Sequence, residues 1–542
     1  MRARWILGLN LLLAACVALA AIPAVPGTLR MLASGLVVLV LPGVGWLGLF
    51  RRAPLSPAKL TLAVTGMSTL CTLGALLVTA APSGPPSRGL AVAWTALFLN
   101  VGLVWKGPPG RLREGIRWRL LAGVAAVGFL VSSLFGLYVV PALEDHDMEL
   151  AGTAWGIAQD WKPYMLTNRE LYIQAAHPVL FHFHVAESLL LTGEIAATKP
   201  HYDAARRAEE AEANHAPIAW DTWWRADYDA MMAHPALVGT RAASCTFSAL
   251  GLALLAHLAI VFTGRAWAGG AAAGLFLSFP ESLVRTCYAG YFPPTFFISA
   301  AAVLLLVEQA GWPWIAAAGA LAATLNHKTV VVVLAVAALA GLDLLRTRFR
   351  VWDRGAIALG VGFGAGTLVW WTYGLSVNAH AFIQDHLRKH LVHRALFHDF
   401  RLGASPERYA PGMAEVWLEF NAHTGYLFVP LAVLALAFWF VQREDGPGLA
   451  TSLPELLGAW FLTGAVLYTL TDWRQTKHLM NQLTPMVVAA VALLEPRAPR
   501  WLRGLAAACL VVILGFNLAT DARLIRDFKS FRISGSSDID HW

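Results

Sequence analysis

The stretch RLLAGVAAVGFLVSSLFGLYVVPALEDHDMEL, residues 119–150, joins an apolar run to a crowded group of carboxylates. After Arg119 no charged side chain occurs until Glu144. About twenty apolar residues at a rise of ~1.5 Å each match the hydrocarbon thickness of a bilayer, so 119–140 reads as a membrane-spanning helix. Directly beyond its end come Glu144, Asp145, Asp147 and Glu149, with His146 among them. The span therefore delivers acids to a membrane boundary, and both the fold and the chemistry follow from what surrounds it.

The whole chain repeats the apolar theme. It is 57% hydrophobic and 14% charged, with 22 Trp and a mean hydropathy of +0.56, far from the composition of a soluble domain. Backbone in lipid must satisfy its own hydrogen bonds, which predicts helices throughout. Apolar runs occur at about 5–22, 31–50, 60–80, 89–105, 119–140, 241–263, 268–283, 294–309, 313–326, 329–345, 355–375, 424–441, 455–471, 479–495 and 504–519. The expected fold class is thus all-α, a polytopic bundle of roughly 13–15 spans with a large outer loop of juxtamembrane helices. The first run, after Met1-Arg-Ala-Arg, fits a retained span better than a signal peptide, because 31–50 follows so closely. Five scattered cysteines show no metal or disulfide spacing.

Charge sets the orientation. The short loops Arg51–Lys59, Lys106–Arg117, Arg346–Arg354 and Arg497–Arg503 fall on one side if the amino terminus is inside, and that side should be cytoplasmic. The formal charge of +7 is then a topology signal rather than a nucleic-acid footprint. Two long loops, 141–240 and 376–423, are expected outside. The first contains HPVLFHFHVAESLLL (177–191), too short and polar to span, which reads as a helix lying at the interface. A charged and then aromatic stretch follows at 203–235, where Trp220, Trp223, Trp224 and Tyr228 suit the headgroup level. Of 17 histidines only His257 falls well inside a predicted span, so polar chemistry gathers on the outer face.

A carboxylate at a membrane edge is poorly solvated, which raises its basicity and suits it to general-base work. On a helix Asp145 and Glu149 share a face and Asp147 diverges. The plain alternative is a solvated loop start that merely ends the span. In the second outer loop, HAFIQDHLRKHLVHRALFHDFR (380–401) sets His386, His390 and His393 on one helical face at metal-ligand spacing. The competing reading there is a basic amphipathic helix at anionic headgroups, through Arg388, Lys389 and Arg394.

The loop EDHDMELAGTAWGIAQDWKP (144–163) resembles the first outer loop of the GT-C glycosyltransferase superfamily, which uses polyprenyl-phosphate sugars. The likeness is to its aminoarabinose-transferase and protein-mannosyltransferase branches. It extends in order through HPVLFHF (177–183), GTRAASCTFSALGLALL (239–255), LNHKTVVVVLAVAAL (325–339) and TKHLMNQLTPMVVAAVALL (476–494), so it covers 119–500. The organisation it implies is extra amino-terminal helices at 1–118, a GT-C-like core at 119–500, and a last span with a short tail at 501–542. The order Glu144-Asp145 leaves the catalytic position open between Asp145 and its neighbours, and VRTCYAGYFPPT (284–295) lacks the Asp that many relatives carry.

The resemblance implies an inverting transferase that moves a sugar from a polyprenyl-phosphate donor to a lipid, glycan or protein acceptor. Its site would lie on the periplasmic or extracellular face of a bacterial inner membrane, among membrane lipids and without nucleic acid. Asp145, Asp147 or Glu144 would activate the acceptor. A leaving phosphate gains charge and needs cations, for which Lys328, Lys477, Arg474 and Arg285 are the outer-end candidates. His146, Glu149, His177, His182 and His327 would line the substrate cavity. No cofactor is required by this chemistry; a divalent cation, Mg²⁺ or Mn²⁺, stays open, as do its ligands. The alternative class is a carrier or flippase of a lipid-linked sugar. Carriers place ionisable residues near the membrane midplane, where this sequence shows almost none.

Overall fold

The computed structural model describes residues 2–51, 54–80, 87–106, 111–140, 145–160, 164–166, 171–173, 178–196, 237–288, 290–350, 352–384, 386–388, 413–442, 448–470 and 479–531. Its amino-terminal helices are α1 (Arg2–Ala21), α2 (Gly27–Leu39), the single turn α3 (Leu41–Val44), α4 (Pro57–Ala80) and α5 (Arg88–Lys106). Then come α6 (Trp118–Leu134), α7 (Asp145–Asp160), a two-stranded ribbon of β1 (Tyr164–Leu166) and β2 (Leu171–Ile173), and α8 (Leu180–Thr192). The carboxyl-terminal half holds α9 (Leu237–Thr263), α10 (Ala266–Leu277), α11 (Pro280–Cys287), α12 (Phe292–Val307), α13 (Trp312–Leu325), α14 (Val330–Arg346) and α15 (Arg354–Ala381). It closes with α16 (Met413–His423), α17 (Phe428–Val441), α18 (Leu453–Leu470), α19 (Leu483–Ala492) and α20 (Arg500–Phe531).

Among the described residues nine helices are long and apolar enough to cross a membrane, or up to 11 if each of two bent helix pairs is one span, and four shorter helices are apolar. The chain is an integral membrane protein built as an all-helical bundle. Helix α9 is its mast: 78% of its most apolar window is buried, the highest share among the nine, and it packs on α2, α6, α8, α10 and α12. Small residues set the closest approaches. A side chain at Gly362 or Gly366 of α15 would collide with the carbonyls of Ala316 or Ala320 on α13, so only glycine lets these two helices lie backbone to backbone.

The basic loops do collect at one end. Leu55 N–H donates to Arg111 O and Arg113 N–H donates to Leu55 O, which ties the first basic loop to the second. Ser56 Oγ donates to Glu308 Oε2 at 2.5 Å, joining the same loop to the end of α12. Arg497 donates to Phe262 O at the end of α9, and Asp343 near the end of α14 accepts from Leu449 N–H. These ties, at helix ends that the sequence places inside, keep the predicted alternation of the helices.

Three expectations change. The run 31–50 is broken: α2 stops at Leu39, Val40 leaves helical geometry at φ −125°, and Pro42 sits in the first turn of α3. The run 268–283 is likewise divided at Ser278–Phe279, where Pro280 opens α11. The helix within 177–191 does not lie on a lipid surface. Residues 181–192 of α8 are all buried in protein, among α1, α2, α4, α5, α7 and α9.

Composition explains that burial. His184, Ser188 and Thr192 recur every four residues on α8, with Glu187 beside them, a polar stripe that needs partners. Ser188 and Ser34 of α2 are 2.7 Å apart, hydroxyl to hydroxyl. Arg30, one turn before Ser34, donates to Ala20 O and Thr192 O and stands 3.7 Å from Glu194. The amino-terminal helices therefore clasp the first outer loop through side-chain polarity, and α7 packs on α8 in turn.

Candidate functional site

The exit of α6 is fixed by its neighbour α9. Its last turn, Phe135–Val139, widens to a π-helix, so the final carbonyls lack their usual partners. Arg241, fully buried at the start of α9, donates to Gly136 O at 2.5 Å and also to Val140 O. The exit that leads to the acidic residues is thus pinned by a cation.

The same guanidinium lies 5.3 Å from the ring centre of Tyr288, and Arg285 lies 5.8 Å from it. Arg285 Nε also donates to Glu281 Oε1 at 2.6 Å, one helical turn away. Three residues beyond Tyr288, Tyr291 presents its ring to Lys328 Nζ at 4.0 Å. The link carrying Lys328 is rigid: Asn326 accepts from Lys328 N–H at 2.9 Å and donates to Tyr291 O at 3.0 Å. Arg241 and Arg285 thus share the Tyr288 ring, with Glu281 in contact with Arg285, and Lys328 lies on the Tyr291 ring three positions further on. Aromatic faces attract these cations without neutralising them.

Acidic helix α7 begins at Asp145, five positions past Val140, a reach of at most ~18 Å for an extended chain. Its backbone puts Asp145 and Glu149 on one face and turns Asp147 away, as the spacing predicts. The side chains of Asp145, His146, Asp147 and Glu149 lie outside the described residues, as do Glu144, His177, Arg474 and Lys477 entirely. The helix is anchored at its other half by Ala154, Trp155 and Ile157, all buried.

The remaining candidates separate. His327 stacks flat on Trp370 with ring centres 5.8 Å apart, next to Lys328. His386 sits edge-on to the same indole at 4.3 Å and touches Trp371 and Phe382, so its ring belongs to an aromatic box. His390 and His393 lie outside the described residues. His182 is buried in α8, and burial lowers its imidazole from the ordinary value to about 3, which keeps it neutral. Among the described residues no group of three His, Cys, Asp or Glu side chains could hold a metal ion.

Arg241 stands within GTRAAS in the sequence without a role of its own, and Tyr288, Tyr291 and Glu281 carry no motif there. An arginine entering a long apolar run is a usable signal, since a buried cation in a span must find partners. The tyrosines carried none. Also missed was the buried pair His184 and Glu187.

The described helices and basic loops define an all-helical integral membrane protein. No protein-family model matches this chain and no curated protein sequence matches it. Among solved structures it is similar to the crystal structure of ArnT from Cupriavidus metallidurans bound to undecaprenyl phosphate. The identity is 14%, the match covers 77% of this chain and 78% of that one, and the TM-score is 0.47.

Proposed function

We propose that this protein is a membrane glycosyltransferase of the GT-C kind, moving a sugar from a polyprenyl-phosphate donor to an acceptor on the non-cytoplasmic face. The observation that carries the reading is the convergence of Arg241, Arg285 and Lys328 on segment 281–291, beside the exit that leads into α7. A lipid phosphate entering from the bilayer edge would meet cations already oriented. Lys328 is the one best placed to turn from its tyrosine to a phosphate oxygen, and Arg285 can share charge between Glu281 and the same anion. Lys477 and Arg474 belong to this set by the family resemblance.

The chemistry needs two faces of one sugar. Asp145, at the first position of α7, takes the proton of the acceptor hydroxyl or amine as it attacks the anomeric carbon. The bond to the phosphate oxygen breaks on the opposite face, so the configuration inverts. Glu144, Asp147 and Glu149 position the acceptor or a divalent cation, and His146, His177 and His327 line the cavity. His182, enclosed and neutral, is better suited to packing α8 than to touching substrate.

The test is a transfer assay on purified protein with a panel of polyprenyl-phosphate sugars. Release of polyprenyl phosphate with at least one donor is expected; intact donor throughout would overturn the reading. The second reading, a carrier of lipid-linked sugar without chemistry, draws support from buried Glu187, the kind of residue that carriers use. Movement of intact donor across vesicles, with no release, would favour it.

A further inference from the structure

The hydroxyls, imidazole and carboxyl where α8 meets α4 and α5 form one hydrogen-bonded chain whose protons can run in two directions. Thr69 Oγ1 is 2.9 Å from Thr65 O, a carbonyl that can only accept, and in the first of two possible orders the hydroxyl proton of Thr69 goes there. His184 Nε2, 2.9 Å from Thr69 Oγ1, must then be the donor to it. A neutral imidazole with its proton on Nε2 leaves Nδ1 as an acceptor, and Thr72 Oγ1 stands 3.2 Å away to supply the proton. With that proton used, the oxygen of Thr72 can only accept at its 2.5 Å contact with Glu187 Oε2, so the carboxyl is the donor. Thr95, whose hydroxyl already donates to Ala91 O at 2.9 Å, is 3.4 Å from Glu187 Oε1.

The other orders make Glu187 a carboxylate that accepts from Thr72, with His184 either an imidazolium or a neutral ring that accepts from Thr69 at Nε2 and donates to Thr72 from Nδ1. Each of them leaves a carboxylate where Glu187 is 1% exposed and His184 fully buried, and ions in such surroundings are strongly disfavoured. The neutral chain satisfies the same atoms without charge. We propose that Glu187 carries its proton in the folded protein, and that Glu187–Thr72–His184–Thr69 is a proton-holding clasp between the amino-terminal helices and the first outer loop. It is separate from the proposed transfer site and does not depend on sugar transfer. Through α8 it sets the seat of α7.

The surroundings agree. Burial raises the Glu187 carboxyl from the ordinary 4.5 to about 7 and lowers the His184 imidazole to about 3, both toward the uncharged form. Of the ionisable groups on helices packed against α8, the Cys71 thiol of α4 faces Glu187. Arg30 of α2 is engaged with Ala20, Thr192 and Glu194, Arg241 of α9 with the α6 carbonyls, and His257 of α9 stands 3.7 Å from Glu308. On α5, Arg88 lies by Gly193 at the end of α8. Arg4 of α1 and Lys59 of α4 belong to the basic end, and α13 has no ionisable side chain. The acids of α7, Asp145, Asp147, Glu149 and Asp160, have side chains outside the described residues. Among the described residues no lysine or arginine is paired with Glu187.

A carboxyl whose folded value lies above its unfolded one holds a proton that the unfolded chain has released. Folding stability therefore falls as pH rises between about 4.5 and about 7, and is flat above. The experiment is pH-dependent infrared spectroscopy of the full chain in lipid nanodiscs, wild type minus Glu187→Gln, with Tm followed in parallel. Expected is a carboxylic-acid C=O stretch at about pH 5 that is lost as pH passes about 7, together with a variant whose Tm no longer falls across that window. Carboxylate bands from Glu187 at about pH 5 would overturn the assignment. Should Glu187→Gln fail to fold, Thr72→Ser and Thr72→Val carry the test. Serine should leave the C=O band in place and valine should shift it to higher frequency, whereas a band unmoved by valine would contradict the chain. No readout uses a substrate, so a failure here is distinct from a failure to find sugar transfer.

Discussion

Around Tyr288 and Tyr291, Arg241, Arg285 and Lys328 meet two tyrosine faces, and Arg285 also meets the carboxylate of Glu281. In the seam between α8 and the amino-terminal helices, Glu187 and His184 are bonded to threonine hydroxyls, and both are held toward their neutral forms. The two regions use similar side-chain types to opposite ends. The cations of the first region lie against aromatic faces, backbone carbonyls and a carboxylate. Charge in the seam is removed, which makes that polar contact tolerable inside the protein and specific to one packing.

The comparison breaks most visibly at the acidic helix. Asp145→Asn should lower transfer by roughly 10²–10⁴-fold while donor binding persists, as loss of a general base does. Near-normal turnover in that variant would move the role to Asp147, and near-normal turnover in both would end the assignment. Beside Tyr291, Lys328→Ala should weaken donor binding by about 10–100-fold, the scale of one charge-assisted hydrogen bond, with Lys328→Arg recovering part of it. The effect should shrink at high salt, and unchanged affinity would remove Lys328 from the phosphate site. Smaller still is the loss expected at the α6 exit. Arg241→Leu leaves the carbonyls of Gly136 and Val140 without that donor, which should lower stability by about 1–3 kcal/mol in a denaturation experiment. A change within ~0.5 kcal/mol, the range of an ordinary surface substitution, would show that the exit is held by other means.

Much of the fold was legible because hydrocarbon thickness and the charge of short loops are strong constraints. Each predicted run from 5–22 to 504–519 has a helix or helix pair, and the basic loops meet at one end through Leu55, Ser56 and Arg497. The misread boundaries were local conflicts, at Pro42 and Pro280, where hydropathy averages over a break that proline imposes. Burial of α8 was not legible because its partners, Ser34, Thr69, Thr72 and Thr95, are residues that any span tolerates. Only their assembly reveals a seam. Of the site, the cations could be named as types at helix ends, but which lie together depends on three-dimensional neighbours such as Tyr288 and Tyr291.

The position of the donor phosphate tests the account most directly. A cryo-electron microscopy structure of the full chain in nanodiscs with a polyprenyl phosphate should place the phosphate within hydrogen-bond reach of Lys328 Nζ. The start of α7 should face it across a gap wide enough for one sugar, and Lys477 should approach from the opposite side. A phosphate bound away from segment 281–291, or Lys328 and Lys477 nitrogens more than about 20 Å apart, beyond what two cations sharing one phosphate can span, would contradict the account.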